Sequence, residues 1–387
     1  MTPRIDLLHP REMDEADARA WSALQGGVEA FSNPLLSPQF ARAVGAVRDD
    51  ARVAIWRDGG QAVGFLPFHR RPGAFARPIG APFSDLQALV GAPDAAIRGG
   101  DLFQAAGLRA LKVNGLIDPF GVLTAGSQSE ALSHRIVLNG GADAYLRQVR
   151  AQSRNGAKNF KRYSERLVQN IGDLRLSAPD ADPRALERLL GWKSAQLRST
   201  GLHDFLAVNW IKSLLNHLFE THQQGFEGLM MNLYAGDRHV AGQFGVRLGG
   251  HFHPWIGAMD PALRAYSPGV VFQWQAVQAM PSVNLKIYEL GVGEDHWKRM
   301  FSLAALPVRT GLVTASGPAG RASAARARIC EWPPGRMQTI SRLRRRLDHI
   351  AAAELTLAGR ARGVISALAN YEKRNAARHA GAAGDKA

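Results

Sequence analysis

The 387 residues contain one cysteine, Cys330. A single thiol excludes an internal disulfide and a cysteine-built zinc site, and it agrees with a reducing compartment. No segment approaches the roughly eighteen uninterrupted apolar residues of a membrane span. The N-terminus "MTPRIDLLHPREMDEADARA" has no apolar core behind a basic start, so no signal peptide is expected and a cytoplasmic protein is. Also missing are a G-x-S-x-G elbow, a P-loop and any clustered Cys/His motif. Hydrolase, NTPase and zinc readings therefore have no support in the sequence.

Acidic residues are scarce, 33 against 48 Lys and Arg, for a net charge of +15. The location of that charge matters more than its size. From Arg321 to Ala387 there are 14 basic and 5 acidic residues, so 14 − 5 = +9 lies in the last 67 and +6 in the other 320. A nucleic-acid binder more often carries its charge on the folded body, so no DNA partner is expected, and the pattern reads as a modest body with a basic appendage. The composition, 46% apolar and 8% aromatic, is that of a folded chain. Its length suits two domains and a tail.

Two segments read as hairpins. "RVAIWRDGGQAVGFLPFHRR" turns at Asp58-Gly59-Gly60, and "LMMNLYAGDRHVAGQFGVRLGG" turns at Gly236-Asp237. At an offset of 178, Trp56 meets Tyr234, Val53 meets Met231 and Gly64 meets Gly242, while "IGAPFSD" from Ile79 and "IGAMDPA" from Ile256 recur at 177. This predicts an internal duplication of an α/β unit. Helical spacing covers the basic segment from Gly141 to Asn170, the segment "DPRALERLLGWKSAQLRSTG" with its Asp cap and proline, and "NWIKSLLNHLFETHQQG", closed by Gly225.

"DPALRAYSPGVVFQWQAVQAM", Asp260 to Met280, sets Ser267-Pro268-Gly269 ahead of a run with helical spacing. Backbone N–H groups at a helix start lack intrahelical partners and sit at the positive end of the dipole, so they can bind an anion. Arg264, Ser267 and Gly269 offer a cation, a hydroxyl and an approach free of a β-carbon, with Tyr266 beside them. Pro268 cannot donate, which leaves the holding to the amides of Gly269, Val270 and Val271. The same residues also describe an ordinary capped helix.

That strand, turn and helix resemble the acyl-CoA pyrophosphate loop of GNAT-superfamily acyltransferases. More narrowly, "HVAGQFGVRLGGHFHPWIGAMDPALRAYSPGVV" followed by "YELGVGEDHWKRMF" resembles the CelD/BcsL-type GNAT proteins of bacterial exopolysaccharide loci, associated with cellulose or holdfast synthesis. The first half's "FSNPLLSPQF", "VGFLPFHRR" and "PIGAPFSDLQAL" look like that family's N-terminal half. FemABX peptidyltransferases resemble the tandem arrangement too, including an aromatic-Lys-x-x-Phe element.

The resemblance implies an α/β fold of two tandem GNAT-like units with mixed central sheets and a C-terminal helical tail. Residues 1–140 would form the acceptor-side unit, 141–312 the unit with the acyl-CoA loop, 313–336 a linker and 337–387 a basic helical tail. It also implies direct transfer of an acetyl group from acetyl-CoA, without a metal, to an amino sugar of an exopolysaccharide or its precursor. Trp297 stands where a tyrosine is common, and an indole cannot protonate a leaving thiolate.

Within that frame Glu289, on the last strand, is a candidate base whose pKa partial burial would raise, or a strand carboxylate paired with a surface lysine. His251 and His253 share one strand face; His253 reads as a base or orienting residue, or as a packed core histidine. Lys298 resembles the FemABX lysine that would stabilise developing negative charge, or is a solvated helix-start lysine. Lys158, Lys161 and Arg162 could meet a pyrophosphate on the acceptor, or form a solvated helix face. In the tail, Arg342 and Arg346 suit an anionic surface of the inner membrane, a partner protein or a cyclic dinucleotide, or no ligand at all. Two rival functions remain: an aminoacyl-tRNA-dependent FemABX-like transferase, and a non-catalytic scaffold of a polysaccharide machine.

Overall fold

The computed structural model describes residues 4–223, 225–293, 295–318, 320, 322 and 338–384. The first half comprises β1 (Arg4–Leu8), α1 (Glu15–Gly27), α2 (Pro38–Gly45), the hairpin β2 (Ala51–Asp58) and β3 (Gln61–Arg71), β4 (Phe75–Pro78), β5 (Gln87–Ala88), β6 (Val90–Gly91), α3 (Gly99–Ala105), β7 (Ala110–Ile117) and β8 (Gly126–Val137). The second half opens with α4 (Gly141–Gln152), α5 (Arg154–Asn170), β9 (Leu174–Ser177), α6 (Pro183–Ser199), α7 (Asn209–Phe219) and β10 (His222–Gln223). It continues through the hairpin β11 (Phe226–Ala235) and β12 (Arg238–Leu248), β13 (His251–Met259), α8 (Pro268–Ala279), β14 (Ile287–Val292), α9 (His296–Phe301) and β15 (Ala304–Thr314). The helices α10 (Gln338–Ala353) and α11 (Leu357–Gly384) follow.

The fold is α/β, and its two halves repeat one strand order. In each, a hairpin leads through a third strand to a parallel neighbour, β4 beside β7 and β13 beside β14. The duplicated hairpins match at 177, the separation of Asp58 from Ala235 and of Gln61 from Arg238, the two pairs that close the turns. Their bulges match at the same offset, Trp56/Arg57 with Leu233/Tyr234. The offset of 178 expected for the hairpins is thus one residue too long. A one-residue slip moves every side chain to the opposite face of a strand, so Trp56 corresponds to Leu233, not to Tyr234.

The two sheets are continuous, and they exchange their last strands. β15, from the end of the second half, inserts between β7 and β8, and β8 inserts between β15 and β14. Helices cover both faces. On one face a single core joins the halves, with Trp21, Phe31, Phe40 and Phe65 packed in the same cluster as Ile211, Leu214 and Phe244. On the other face each half has its own core, around α3 in the first and around α4, α5 and α8 in the second.

Local chemistry explains most boundaries. Asp182 caps α6 by accepting from Arg184 N at 2.9 Å, and Pro183 starts it. The segment expected as one helix from Gly141 breaks at Ser153, whose backbone is not helical (φ −135°, ψ 78°). α7 ends at Phe219 rather than at Gly225, because β10 follows it and pairs with β11.

The basic tail is not a free appendage. Asp348 on α10 accepts from Arg77 Nη2 at 2.7 Å and Lys112 Nζ at 2.5 Å, both on the first half. Ile350 and Ala353 are buried, and Trp210 Nε1 donates to the Ala353 carbonyl at 2.8 Å. Most of the expected linker lies outside the described residues, as does the side chain of Arg342, and Arg346 is already engaged within the protein. Among the described residues no helix is long and apolar enough to cross a membrane.

Candidate active site

The loop before α8 is built from the expected residues. Asp260 accepts from Ala262 N at 2.9 Å and caps a short 3-10 turn, Pro261–Tyr266. Ser267 then takes a left-handed conformation, φ 49° and ψ 50°, which turns the chain into α8. The amide of Val270 donates to the Ser267 carbonyl at 3.0 Å. Of the three amides expected to face an anion, Val270's is therefore engaged by the helix's own first turn. Gly269 is exposed, and a β-carbon there would meet only Met259 Sδ at 3.9 Å, so space lies open above it.

Helix α5 packs against this loop. Phe160 stacks on Trp274 at 4.5 Å, Arg166 lies over the Tyr266 ring at 5.2 Å, and the Tyr163 hydroxyl bonds the Ser267 side chain. That bond, with Arg162, holds the Tyr163 pKa below its usual value. Lys158, Lys161 and Arg162 are exposed on the same helix. They stand beside the expected donor loop, and Arg264 is exposed there as well.

Beyond the loop, β13 and β14 pair only at His251–Ile287 and Phe252–Tyr288 and then part. First-half residues fill the resulting notch. Asn33 Oδ1 accepts from Leu35 N at 3.0 Å, so the amide nitrogen is the end that faces His253 Nδ1, at 3.0 Å. His253 therefore accepts at Nδ1 and carries its proton on Nε2, which lies 2.9 Å from Asp85 Oδ1. Burial opposes a charge on Asp85, but His253, the Val292 amide and Lys298 outweigh it and hold its pKa low. Lys298 donates to the Val292 carbonyl at 2.9 Å and lies 3.5 Å from Asp295. It is thus a fixed cation at the notch, not a solvated lysine. Asn33 and Asp85, one at each ring nitrogen, hold the His253 imidazole in one orientation.

Glu289 is fully buried. Its Oε1 lies 3.1 Å from His251 Nε2 and 3.4 Å from Arg135 Nη2, and its Oε2 accepts from Ser133 Oγ at 3.4 Å. Burial pushes its pKa up, as expected, but His251 and Arg135 overcome that push and the net shift is downward. The expected raised pKa is therefore wrong for this carboxylate: it stays ionised and its oxygens are occupied. His251 is lowered, chiefly by burial against the pull of Glu289, and is neutral near pH 7. Its Nδ1 lies 3.2 Å from Ser32 Oγ. At the first-half position that corresponds to Glu289 at the offset of 177 stands Lys112, bound to Asp348, so the carboxylate exists in one half alone.

Ser32 and His251 line a groove of about 510 Å³ between the halves. Ser32, Asn33 and Asp85 lie within the family-like stretches "FSNPLLSPQF" and "PIGAPFSDLQAL" without an expected role, and Arg135 lies in no motif. Nothing in their spacing places them beside residues of the other half. Among the described residues no group of three or more His, Cys, Asp or Glu could hold a metal ion.

Residues 154–299 match the family model described as an acetyltransferase (GNAT) domain. The matched stretch runs from α5 into α9 and holds the loop, His251, His253, Glu289 and Lys298. No curated protein matches the chain. Among solved structures, similar folds include the C-terminal domain of a putative lysylphosphatidylglycerol synthetase from Agrobacterium fabrum, at 13% identity and TM-score 0.47, covering 81% of this chain and 96% of that one. A tandem GNAT protein from the clavulanic acid pathway is 11% identical, with TM-score 0.47 and coverage of 81% and 100%. FemX is 9% identical, with TM-score 0.48 and coverage of 79% and 95%. Values this low leave the assignment with the family match and the geometry.

Proposed function

We propose that this chain is an acyl-CoA-dependent N-acetyltransferase whose acceptor is an amino sugar of an exopolysaccharide or its precursor. One observation carries the reading: the segment matching the GNAT domain includes a helix start whose glycine, Gly269, faces open space. The donor's pyrophosphate would lie over Gly269 and Val271, with Arg264 and the Ser267 hydroxyl beside it. Exposed Lys158, Lys161 and Arg162 on the adjoining helix add positive potential on the donor side. The acyl end would run into the notch toward His253. There Asp85 fixes the imidazole, and Lys298 supplies positive charge where negative charge develops. The sugar acceptor rests on the resemblance to exopolysaccharide proteins stated above.

Calorimetry with acetyl-CoA tests the reading. The wild type should bind saturably, and Gly269→Trp, which fills the open space, should lose binding while keeping its fold. No binding by the wild type would leave the non-catalytic scaffold as the better account. Binding that survives the substitution would place the pyrophosphate elsewhere.

A further inference from the structure

Three side chains that no motif joins meet at the seam between the halves. Ser32 follows the short turn Glu29–Phe31, with its amide bonded to the Glu29 carbonyl at 3.1 Å. Its hydroxyl lies 3.2 Å from His251 Nδ1, and His251 Nε2 lies 3.1 Å from the buried Glu289 carboxylate. Asn33 Nδ2 also lies 3.4 Å from Nε2, but the carboxylate is nearer and, ionised, can only accept, so it places the imidazole proton there and leaves the Nδ1 lone pair facing the serine. This is the order hydroxyl, base, orienting carboxylate that activates a serine nucleophile.

The surroundings suit that role. Arg135 and Ser133 hold the far side of Glu289, which fixes it and keeps it charged. Ser32 is only partly buried, and it opens with His251 onto the groove between the halves. The groove wall mixes apolar surface from Val28, Leu248 and Ile287 with the polar side chains of Ser22, Glu29, Gln39 and Lys286. Gln39 Oε1 is buried there without a hydrogen-bond partner, an acceptor for an N–H or O–H of a bound molecule. A groove of this size and mixed lining has room for a short acyl group and part of its carrier.

We infer that Ser32, His251 and Glu289 form a nucleophilic triad in which Ser32 is transiently acylated by an activated short-chain ester or thioester. Ser32 Oγ attacks the carbonyl carbon while its proton passes to His251 Nδ1, and Glu289 remains ionised against the imidazolium. The bond to the leaving alcohol or thiol breaks, and that group departs with the proton from His251. An amine or water then attacks the acyl-serine and gives its proton to His251, which returns it to Ser32 Oγ as the amide or acid leaves. Ser32 and His251 are catalytic residues in this scheme, and Glu289 is a positioning residue. The inference stands apart from the donor loop, since a simple ester acylates Ser32 without any contact at Gly269.

The test treats the full chain with p-nitrophenyl acetate, in the absence of coenzyme A, and reads both p-nitrophenolate release and the sites of added acetyl mass. A burst of about one equivalent per chain is expected, with the acetyl group on Ser32. Ser32→Ala should abolish the burst, and His251→Gln should slow it by about 100-fold. Localisation on the wild type requires no variant to fold. Acetyl found only on lysines, or a burst unchanged in Ser32→Ala, overturns the inference. Because coenzyme A is absent, either outcome is independent of the calorimetry on the donor loop.

Discussion

The imidazole of His253 and the carboxylate of Asp85 meet at 2.9 Å across the seam between the two halves, with Asn33 on the other side of the ring. The second half's notch is therefore completed by the first half. Asp85→Ala should unpin His253 and remove a negative charge that Lys298 faces across the notch. A loss of about 2–3 kcal/mol is expected, the upper part of the range for a hydrogen bond to a charged group. Urea unfolding measures it, and a change below about 0.5 kcal/mol would mean that the contact holds nothing together.

Two glycines should respond in opposite ways. Gly291 has φ 81°, and a β-carbon on it would lie 2.5 Å from Asp85 Oδ2. Gly291→Ala therefore combines a left-handed penalty with displacement of Asp85, and about 2–3 kcal/mol of stability should be lost. Gly269→Ala has open space and should leave the unfolding midpoint unchanged while weakening acetyl-CoA binding. Equal stabilities for the two variants would contradict the geometry at Gly291.

Burial, helped by Arg188, pushes His239 down to about 4 from its ordinary 6.5. Between those two values the unfolded chain binds a proton that the folded chain does not. Stability is therefore intact above pH 6.5, falls as the pH drops, and is lower by up to about 3 kcal/mol at pH 4. His69, also near 4, acts in the same direction. His239→Gln should flatten the dependence of the urea midpoint on pH between 6.5 and 4.5. A variant curve parallel to that of the wild type would count against this origin of the acid sensitivity.

Asp348 ties α10 to the first half through Arg77 and Lys112. Burial opposes its charge, and the two cations more than offset that and hold its pKa low. Asp348→Ala should cost about 1–2 kcal/mol, since the pair is partly solvated. Amide exchange in Gln338–Ala353 should rise at least tenfold while the central strands keep their protection. Unchanged exchange in that helix would show that Ile350, Ala353 and the Trp210 bond suffice to hold it.

Much of the fold was legible where one strand or helix carries its own signal. The turns at Gly59-Gly60 and Gly236-Asp237, the Asp182 cap and the start of α8 at Pro268 all appear where local chemistry placed them. β8 was not legible. Its first part, "GSQSEAL", is mostly exposed and has no apolar alternation, and its pairing with both β14 and β15 depends on strands far along the chain. The site divides in the same way. Glu289, His253 and Lys298 stood out within second-half motifs, but their states depend on Asn33, Asp85, Ser133 and Arg135 from the first half. No local pattern encodes that a carboxylate expected to be a partly buried base meets an arginine and a histidine.

The exchange of β8 and β15 also governs the order in which the protein can be completed. When synthesis has passed residue 140, the strand that borders β7 in the finished sheet, Ala304–Thr314, does not yet exist. The first half must wait with that edge open until nearly the whole second half has emerged, and β8 must wait with it. Both edges close together once β15 is made, so the groove that holds Ser32 and His251 forms only in a chain that carries both halves.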